Sequence, residues 1–178
     1  FVVALVVRLN DGGPAFFTQE RVGLDGRTFT MFKFRTMRVD AEALKASLQE
    51  ANEADASAGN SIMFKIANDP RITRVGAFLR KTSIDELPQL FNVLRGDMSL
   101  VGPRPPLPSE VAQYEPRVMG KFAVRPGITG LWQISGRSNL SWDETVHLDL
   151  SYAQHRSLTL DAWIILQTIP ALLRHEGA

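Results

Sequence analysis

Two adjacent carboxylates, Asp85 and Glu86, follow closely on two cations, Arg80 and Lys81. Together these residue types supply a nucleophile or general base and the positive charge that holds a phosphate group. A structural interpretation is also open, because Ser83 and Glu86 have the spacing of a helix capping box, and acidic residues in a first helical turn favour the helix dipole. The two interpretations can coexist, since a helix N-terminus also favours a bound phosphate.

Further cations occur at two other places in the sequence. Lys33, Arg35 and Arg38 lie at the end of a predicted strand, and Arg104 lies within a proline-rich segment. Scattered arginines are usually solvated surface residues, which is the simpler interpretation of these positions. Arg104 differs, because a rigid loop with fixed φ angles holds a guanidinium at low entropic cost, which suits bidentate phosphate binding.

Asp149 and Asp161 are the remaining carboxylates of interest. Asp161 lies in an otherwise apolar predicted helix, where a single acid either faces water or is held for a ligand or metal. The sequence has no cysteine, and its three histidines lack metal-ligand spacing. Thiolate catalysis is therefore excluded and a Cys or His zinc site is disfavoured, whereas Mg²⁺ bound by oxygen ligands stays open.

The composition is that of one globular domain with little net charge. The chain has 178 residues, 44% of them apolar, and its 20 basic and 19 acidic residues leave a net charge of +1. This balance disfavours a nucleic-acid binder. No apolar window is long enough to span a membrane, and no signal peptide is visible. The apolar run Phe1 to Val7 is either a core strand or the tail of a membrane-embedded segment.

One β-hairpin and a set of helices must position the candidate residues. An Asp-Gly turn at 25–26 between two β-rich segments predicts the hairpin. Ser141 and Glu144 have the spacing of a capping box, and Asn68 is the expected cap of an earlier helix. We expect strands at 15–22, 28–37 and 131–134, helices at 40–54, 69–81, 82–96, 141–155 and 158–174, a partly helical segment at 109–121, a loop at 100–108 and a turn at 125–130. The predicted architecture is α+β and mostly helical.

Several long segments follow one another in a specific order. They are Phe16-Phe17-x-Gln19-Glu20-Arg21-Val22-Gly23, Lys33-Phe34-Arg35-Thr36-Met37, Asp69-Pro70-Arg71-Ile72-Thr73-Arg74-Val75-Gly76, Thr82-Ser83-Ile84-Asp85-Glu86-Leu87-Pro88-Gln89-Leu90, Gly96-Asp97-Met98-Ser99-Leu100-Val101-Gly102-Pro103-Arg104-Pro105, Pro126-Gly127-Ile128-Thr129-Gly130-Leu131-Trp132-Gln133 and Asp149-x-x-Tyr152. This series resembles the bacterial sugar transferase family, the polyprenyl-phosphate glycosyl-1-phosphate transferases, and is most similar to the exopolysaccharide-initiating type.

The resemblance implies an enzyme that moves a sugar 1-phosphate from a nucleoside diphosphate sugar to a polyprenyl phosphate such as undecaprenyl phosphate. By their place in the motifs, Asp85 is the nucleophile that attacks the sugar-linked phosphorus, and Glu86 is its acidic partner. Mg²⁺ is the expected cofactor, because the charge of the diphosphate must be neutralised, and Asp85 is its expected protein ligand. The expected phosphate-binding residues are Lys33, Arg80 and Arg104, with Asp149 and Asp161 as weaker candidates for metal, nucleotide or structural roles.

The resemblance also implies a monotopic, membrane-associated catalytic domain on the cytoplasmic face of the inner or plasma membrane. Residues 1–178 then form a single, N-terminally truncated catalytic domain, and residues 1–9 are the remnant of a membrane-embedded segment. The last helix, which Asp161 and Pro170 prevent from spanning, either packs on the hairpin and the helix at 69–81 or lies at the membrane interface. The alternative function is a non-catalytic membrane-surface assembly module.

Overall fold

The computed structural model describes residues 1–45, 69–136 and 140–173. Its helices and strands alternate irregularly along the chain, which confirms the α+β class. In chain order they are α1 (Val2–Asp11), β1 (Phe16–Val22), β2 (Thr28–Phe34), α2 (Ala41–Lys45), α3 (Arg74–Lys81), α4 (Gln89–Arg95), β3 (Ser99–Val101), α5 (Pro108–Val111), β4 (Gly127–Thr129), α6 (Leu131–Ile134), α7 (Trp142–His155) and α8 (Leu158–Leu173), with 3₁₀ turns at Leu24–Gly26, Ile84–Glu86 and Pro116–Ala123.

Strands β1 and β2 form the predicted antiparallel hairpin, with Phe16 opposite Phe34 and Val22 opposite Thr28. Asp25 and Gly26 both adopt positive φ in the connecting turn, which is the conformation that an Asp-Gly pair favours. At the open end of the hairpin the rings of Phe16 and Phe34 stack with centroids 5.3 Å apart. The hairpin gives a stiff platform for the side chains of β1 and β2.

The second half of the chain packs around a core of buried apolar residues. Helix α7 begins with the predicted capping box, in which Ser141 Oγ accepts the Glu144 amide and the Glu144 carboxylate accepts the Ser141 amide. Helix α8 follows, and its Ile164 is fully buried against a cluster that includes Val101 and Tyr152. The Tyr152 hydroxyl donates to the Val101 carbonyl, which ties α7 to β3. Both helix predictions are confirmed over the described residues.

A second, parallel pair of short strands corrects two predictions. Ser99 pairs with Gly127 and Val101 with Thr129, so strand structure enters both the expected loop at 100–108 and the expected turn at 125–130. A Cβ on Gly127 would lie 2.0 Å from the Gly102 amide nitrogen, so only glycine permits this close approach. Pairing between distant segments overrides the local turn signals here.

One predicted strand is a helix, and the strand alternative for the apolar run at the start of the chain is wrong. Residues 2–7 of that run belong to α1, which is capped by Gly12 at φ 74° and exposes most of its apolar residues. Leu131–Ile134 forms the single turn α6, whose Gln133 amide donates to the Gly130 carbonyl. Short apolar runs fit either structure, and local hydrogen bonding decides between them. No helix among the described residues meets the length and hydropathy needed to cross a bilayer.

One helix start also differs from expectation. Helix α3 begins at Arg74 rather than Asp69, because Thr73 Oγ1 accepts the Gly76 amide as the cap. Asp69 instead forms an ion pair with Arg71, and Asn68 lies outside the described residues. Of the helix expected at 40–54, the described part is α2, and residues 46–54 also lie outside that range.

Candidate functional site

A cleft of about 200 Å³ opens between the hairpin, the 3₁₀ turn Ile84–Glu86, the proline loop after β3, and α6. Each of these elements contributes polar side chains to its wall. Those that matter for chemistry are Arg21, Lys33, Asp85, Glu86, Arg104 and Trp132. The structure thus brings Lys33 and Arg104, which are distant in sequence, to the adjacent carboxylates Asp85 and Glu86.

The 3₁₀ turn sets the direction of the two carboxylates. Ser83 has φ 54°, an unusual conformation for a non-glycine residue, and its side chain makes no capping hydrogen bond. The capping box expected between Ser83 and Glu86 is therefore wrong. Because the left-handed residue redirects the chain, Asp85 turns into the protein with 7% of its surface exposed, and Glu86 turns toward the hairpin.

Glu86 is held by the hairpin. Its Oε1 atom accepts a hydrogen bond from Lys33 Nζ at 2.7 Å, and both side chains are partly exposed. The pair joins β2 to the 3₁₀ turn beside the cleft. Lys33 is thus committed to a carboxylate, and the phosphate-binding role predicted for it stays a prediction.

Asp85 lies in this cleft without an ion-pair partner among the residues that the structure describes. Burial raises the pKa of Asp85 to about 6, and the nearby Glu86 carboxylate acts in the same direction. The positive charges of Lys33 and Arg80 oppose this rise without cancelling it. A carboxylate with such a pKa is mostly ionised at neutral pH and more basic than an ordinary aspartate.

Arg80 lies beside Asp85 but is not part of the cleft wall. Its Nε donates to Thr36 Oγ1 at 2.9 Å, and burial lowers its pKa despite the opposing charge of Asp85. The contact depends on close packing of α3, since a Cβ on Gly76 would lie 1.9 Å from the Thr36 carbonyl oxygen. Arg80 therefore acts on Asp85 through charge, and direct phosphate contact by Arg80 stays a prediction.

Arg104 projects from the proline loop into the cleft, as expected, but it has a protein partner. Its two terminal nitrogens donate to the Glu110 carboxylate at 2.9 and 3.2 Å, and Glu110 also accepts the Leu107 amide at 2.7 Å. Burial acts against the charge of Arg104, yet the Glu110 carboxylate keeps the pKa of Arg104 raised. The fixed loop geometry is confirmed, and Glu110 accounts for part of it.

Arg21 is a cleft residue that we did not predict from the sequence. One terminal nitrogen donates to the Pro105 carbonyl at 3.0 Å and the other to Gln19 Oε1 at 2.6 Å. Burial lowers the pKa of Arg21 to about 10, and the charge of Arg104 adds to that effect. The alternation of side chains along β1 is the signal that could have identified Arg21. Gln19 and Arg21 turn inward on either side of the exposed Glu20.

Trp132 is a second cleft residue that sequence reasoning missed. It lies on α6, and its indole Nε1 is buried without a hydrogen-bond partner within the described parts of the chain. We expected residues 131–134 to form a strand, and that prediction gave no reason to place the Trp132 side chain in the site. A buried indole N–H usually has an acceptor, so this group is suited to contact a ligand oxygen.

Asp149 and Asp161 lie outside the cleft wall. Asp149 on α7 is buried and forms an ion pair with Lys121. Burial raises the pKa of Asp149 against the opposing charge of Lys121. Asp161 accepts the Tyr152 hydroxyl at 2.8 Å and lines a different groove. These contacts support the structural roles left open for both residues.

The cleft therefore combines a buried, basic carboxylate with several cations, and the fold and site define an α+β protein equipped for phosphate chemistry. The model of the family described as "Bacterial sugar transferase" matches residues 1–175. The chain belongs to this family, as the resemblance of its motifs implied.

Curated relatives agree with this assignment. "Galactosyl transferase CpsE" of Streptococcus agalactiae is 52% identical over 169 residues, which are 94% of this chain and 36% of that protein. "Exopolysaccharide production protein ExoY" of Rhizobium meliloti is 42% identical over 177 residues, 99% of this chain and 78% of that protein. "UDP-glucose:undecaprenyl-phosphate glucose-1-phosphate transferase" of Xanthomonas campestris is 40% identical over 184 residues, covering 99% of this chain and 35% of that protein. The chain thus spans about a third of the length of several curated relatives that it matches.

Proposed function

We propose that this protein transfers a sugar 1-phosphate from a nucleoside diphosphate sugar to a polyprenyl phosphate. The observation that carries the proposal is Asp85, a buried carboxylate that lies in a cationic cleft and has no ion pair among the described residues. The name of the Xanthomonas relative describes a reaction of this class. The product is a lipid-linked sugar diphosphate, and the exopolysaccharide name of the Rhizobium relative supports a role at the start of polysaccharide synthesis.

In the proposed mechanism, Asp85 attacks the phosphorus that carries the sugar. The bond from this phosphorus to the nucleotide oxygen breaks, and the nucleoside monophosphate leaves with that oxygen. Asp85 then holds the sugar phosphate as an acyl phosphate until an oxygen of the polyprenyl phosphate attacks the same phosphorus and releases the carboxylate. The raised pKa makes Asp85 a better nucleophile while leaving it mostly ionised at neutral pH.

Glu86 and Lys33 have supporting roles in this mechanism. Their ion pair fixes the 3₁₀ turn against β2 and so orients the neighbouring Asp85. The charge of Lys33 also favours ionised Asp85, whereas that of Glu86 disfavours it. The Lys33–Glu86 pair therefore tunes the nucleophile as well as positioning it.

The donor set of the cleft fits Mg²⁺. Proteins hold this ion by one or two carboxylates together with substrate phosphates and water. Asp85 would supply an oxygen ligand, and no group of three or more His, Asp or Glu side chains forms a metal cluster among residues 1–45, 69–136 and 140–173. When bound, Mg²⁺ would neutralise part of the negative charge of the diphosphate.

A direct test of the proposed function measures nucleoside monophosphate release. The protein is incubated with Mg²⁺, undecaprenyl phosphate and one nucleotide sugar at a time, UDP-glucose and UDP-galactose first. We expect release that depends on both the lipid and the metal with at least one donor. A folded protein that releases no monophosphate across a donor panel would support the alternative function, a non-catalytic assembly module.

We also propose that α8 contacts the cytoplasmic surface of the membrane, where a polyprenyl phosphate presents its phosphate. The helix buries Ile164 but exposes five large apolar side chains, namely Leu158, Trp163, Ile165, Leu166 and Ile169. It packs on α6 and on the parallel strands β3 and β4, rather than mainly on the hairpin and α3 as the packing alternative expected. An exposed apolar helix face of this kind is typical of interfacial helices.

Liposome flotation tests the role of α8. We expect the native protein to float with anionic vesicles, and Trp163→Glu with Ile169→Glu to reduce the floating fraction because two charges enter the apolar face. Gln154→Glu, at an exposed position of α7, controls for added negative charge. If the native protein stays in the soluble fraction at low salt, α8 is not a membrane contact.

A further inference from the structure

Two of the three cations in the cleft wall are already neutralised by the protein. Lys33 is paired with Glu86, and Arg104 is paired through both terminal nitrogens with Glu110. Arg21 is the third, and within the described residues no carboxylate lies within ion-pair distance of it. Among the cleft residues that the structure describes, one cation and one carboxylate, Arg21 and Asp85, form no ion pair with another described residue.

The contacts of Arg21 hold it in place without satisfying its charge. Both acceptors of its terminal nitrogens, the Pro105 carbonyl and the Gln19 amide oxygen, are neutral groups. Its Nε is buried and has no partner among the described residues. Leaving a buried donor unpaired, particularly on a charged group, is unfavourable, so a ligand acceptor would be strongly favoured.

The surroundings of Arg21 favour an anion over a neutral ligand. Arg21 and Arg104 are close enough for the charge of one to lower the pKa of the other, and Glu110 is the carboxylate they share. Glu86 also acts on Arg21, but Glu86 is paired with Lys33. The two guanidinium groups and Glu110 therefore leave a surplus positive charge on this side of the cleft. A planar guanidinium recognises phosphate oxygens well, and a multiply charged anion would relieve the repulsion between the two arginines.

We propose that Arg21 is the residue that binds the anionic oxygens of the donor diphosphate, in the cleft that Asp85 also lines. This assignment rests on the proposed function, because it names a binding residue for that donor. Arg104 shapes the subsite as the second guanidinium, already saturated by Glu110. Asp85 then meets a phosphorus whose charge Arg21 partly neutralises.

Binding of inorganic pyrophosphate to the full chain tests this assignment. Calorimetric titration at low ionic strength compares the native protein with Arg21→Gln, Arg21→Lys and the control Arg27→Gln. Arg27 is exposed in the turn of the same hairpin, so its replacement removes one charge without touching the cleft. We expect Arg21→Gln to weaken binding by about tenfold to a hundredfold, the range for a charged hydrogen bond.

Arg21→Lys keeps the charge but loses the planar fork, so we expect it to bind between the native protein and Arg21→Gln. Circular dichroism melting establishes whether each variant is folded. If Arg21→Gln is unfolded, the affinity of Arg21→Lys for pyrophosphate is compared with that of the native protein instead. The proposal is overturned if the folded Arg21 variants bind pyrophosphate as tightly as the native protein, or if the native protein does not bind it.

The enzymatic assay separates failure of this inference from failure of the proposed function. If the native protein is active and Arg21→Gln leaves the KM for the nucleotide sugar unchanged, the function stands and the role of Arg21 is refuted. If pyrophosphate binding depends on Arg21 but no donor yields a nucleoside monophosphate, the anion site stands and the function is refuted.

Discussion

The cleft and the helical half of the molecule each contain a buried aspartate, and the two aspartates differ in their ion pairing within the described residues. Asp149 is 2% exposed and forms an ion pair with Lys121, which is also buried. Asp85 is 7% exposed and has no ion pair within the described residues, although Lys33 is near enough to affect its pKa. The nearby lysine is bonded to Glu86 instead.

On the proposed function, the same residue type serves stability at Asp149 and chemistry at Asp85. Burial raises the pKa of both carboxylates, but only Asp149 is compensated by a bonded cation. An uncompensated buried carboxylate costs stability, and proteins keep such groups mainly at functional sites. We therefore expect replacement of Asp149 to damage the fold and replacement of Asp85 to spare or strengthen it.

The largest expected effect on stability is that of Asp149→Ala. It leaves the Lys121 ammonium buried without its carboxylate partner, and we expect a loss of about 3 to 5 kcal/mol in the free energy of unfolding. Urea denaturation measures it, with Asp143→Ala at an exposed position of α7 as the control, for which about 1 kcal/mol or less is expected. A small effect at Asp149 would mean that the ion pair is not structural.

The second effect has the opposite sign and depends on pH. Burial raises the pKa of Asp85 from 3.8 to about 6, so the folded state binds this proton more tightly than the unfolded state. Between those values the folded state carries more protons, and stability therefore falls as pH rises from about 4 to 6. The cost above this range is about 3 kcal/mol at most, by the conversion of pKa into free energy.

Asp85→Asn removes that proton equilibrium. We expect the variant to be more stable than the native protein at pH 7.5, and the difference to shrink toward pH 4, where native Asp85 is itself protonated. Thermal melts of both proteins at several pH values measure the difference. A variant that is less stable than the native protein throughout would contradict the assignment of Asp85 as an uncompensated carboxylate.

The smallest effect on stability is expected at Glu86. Its ion pair with Lys33 is partly exposed, so Glu86→Gln should cost about 1 kcal/mol or less. Transfer activity should nevertheless fall by about tenfold to a hundredfold, because Lys33 is released and the turn that orients Asp85 is loosened. If the loss of activity is no larger than the loss of folded protein at the assay temperature, Glu86 serves the fold alone.

The sequence was most informative where a local signal acts alone. The Asp-Gly turn predicted the hairpin, and the Ser141 capping box predicted α7, because turn and cap chemistry are satisfied within a few residues. The same kind of signal was misleading at Ser83. Ser83 and Glu86 have the spacing of a capping box, but Ser83 adopts a left-handed conformation and its side chain does not cap the turn. Asp85 and Glu86 both line the cleft, and their catalytic roles stay predictions. The geometry that buries Asp85 could not be predicted from the spacing.

The rest of the site depends on contacts between distant segments. In the sequence, Arg21 looks like an exposed residue of a strand. Only the fold brings Pro105 and Arg104 beside it. Arg104 was predicted without its partner Glu110, which lies on the next short helix. Charge pairing across the fold decides which cation remains for a ligand, and a single sequence does not contain that information.

The most direct test of the central claim is nucleotide exchange without the lipid acceptor. The protein is incubated with Mg²⁺, UDP-glucose or UDP-galactose and labelled UMP, and transfer of label into the nucleotide sugar is followed. If Asp85 forms an acyl phosphate with the sugar phosphate, we expect exchange in the native protein and in Asp143→Asn, and none in Asp85→Asn. Exchange that persists in a folded Asp85→Asn protein would contradict the account.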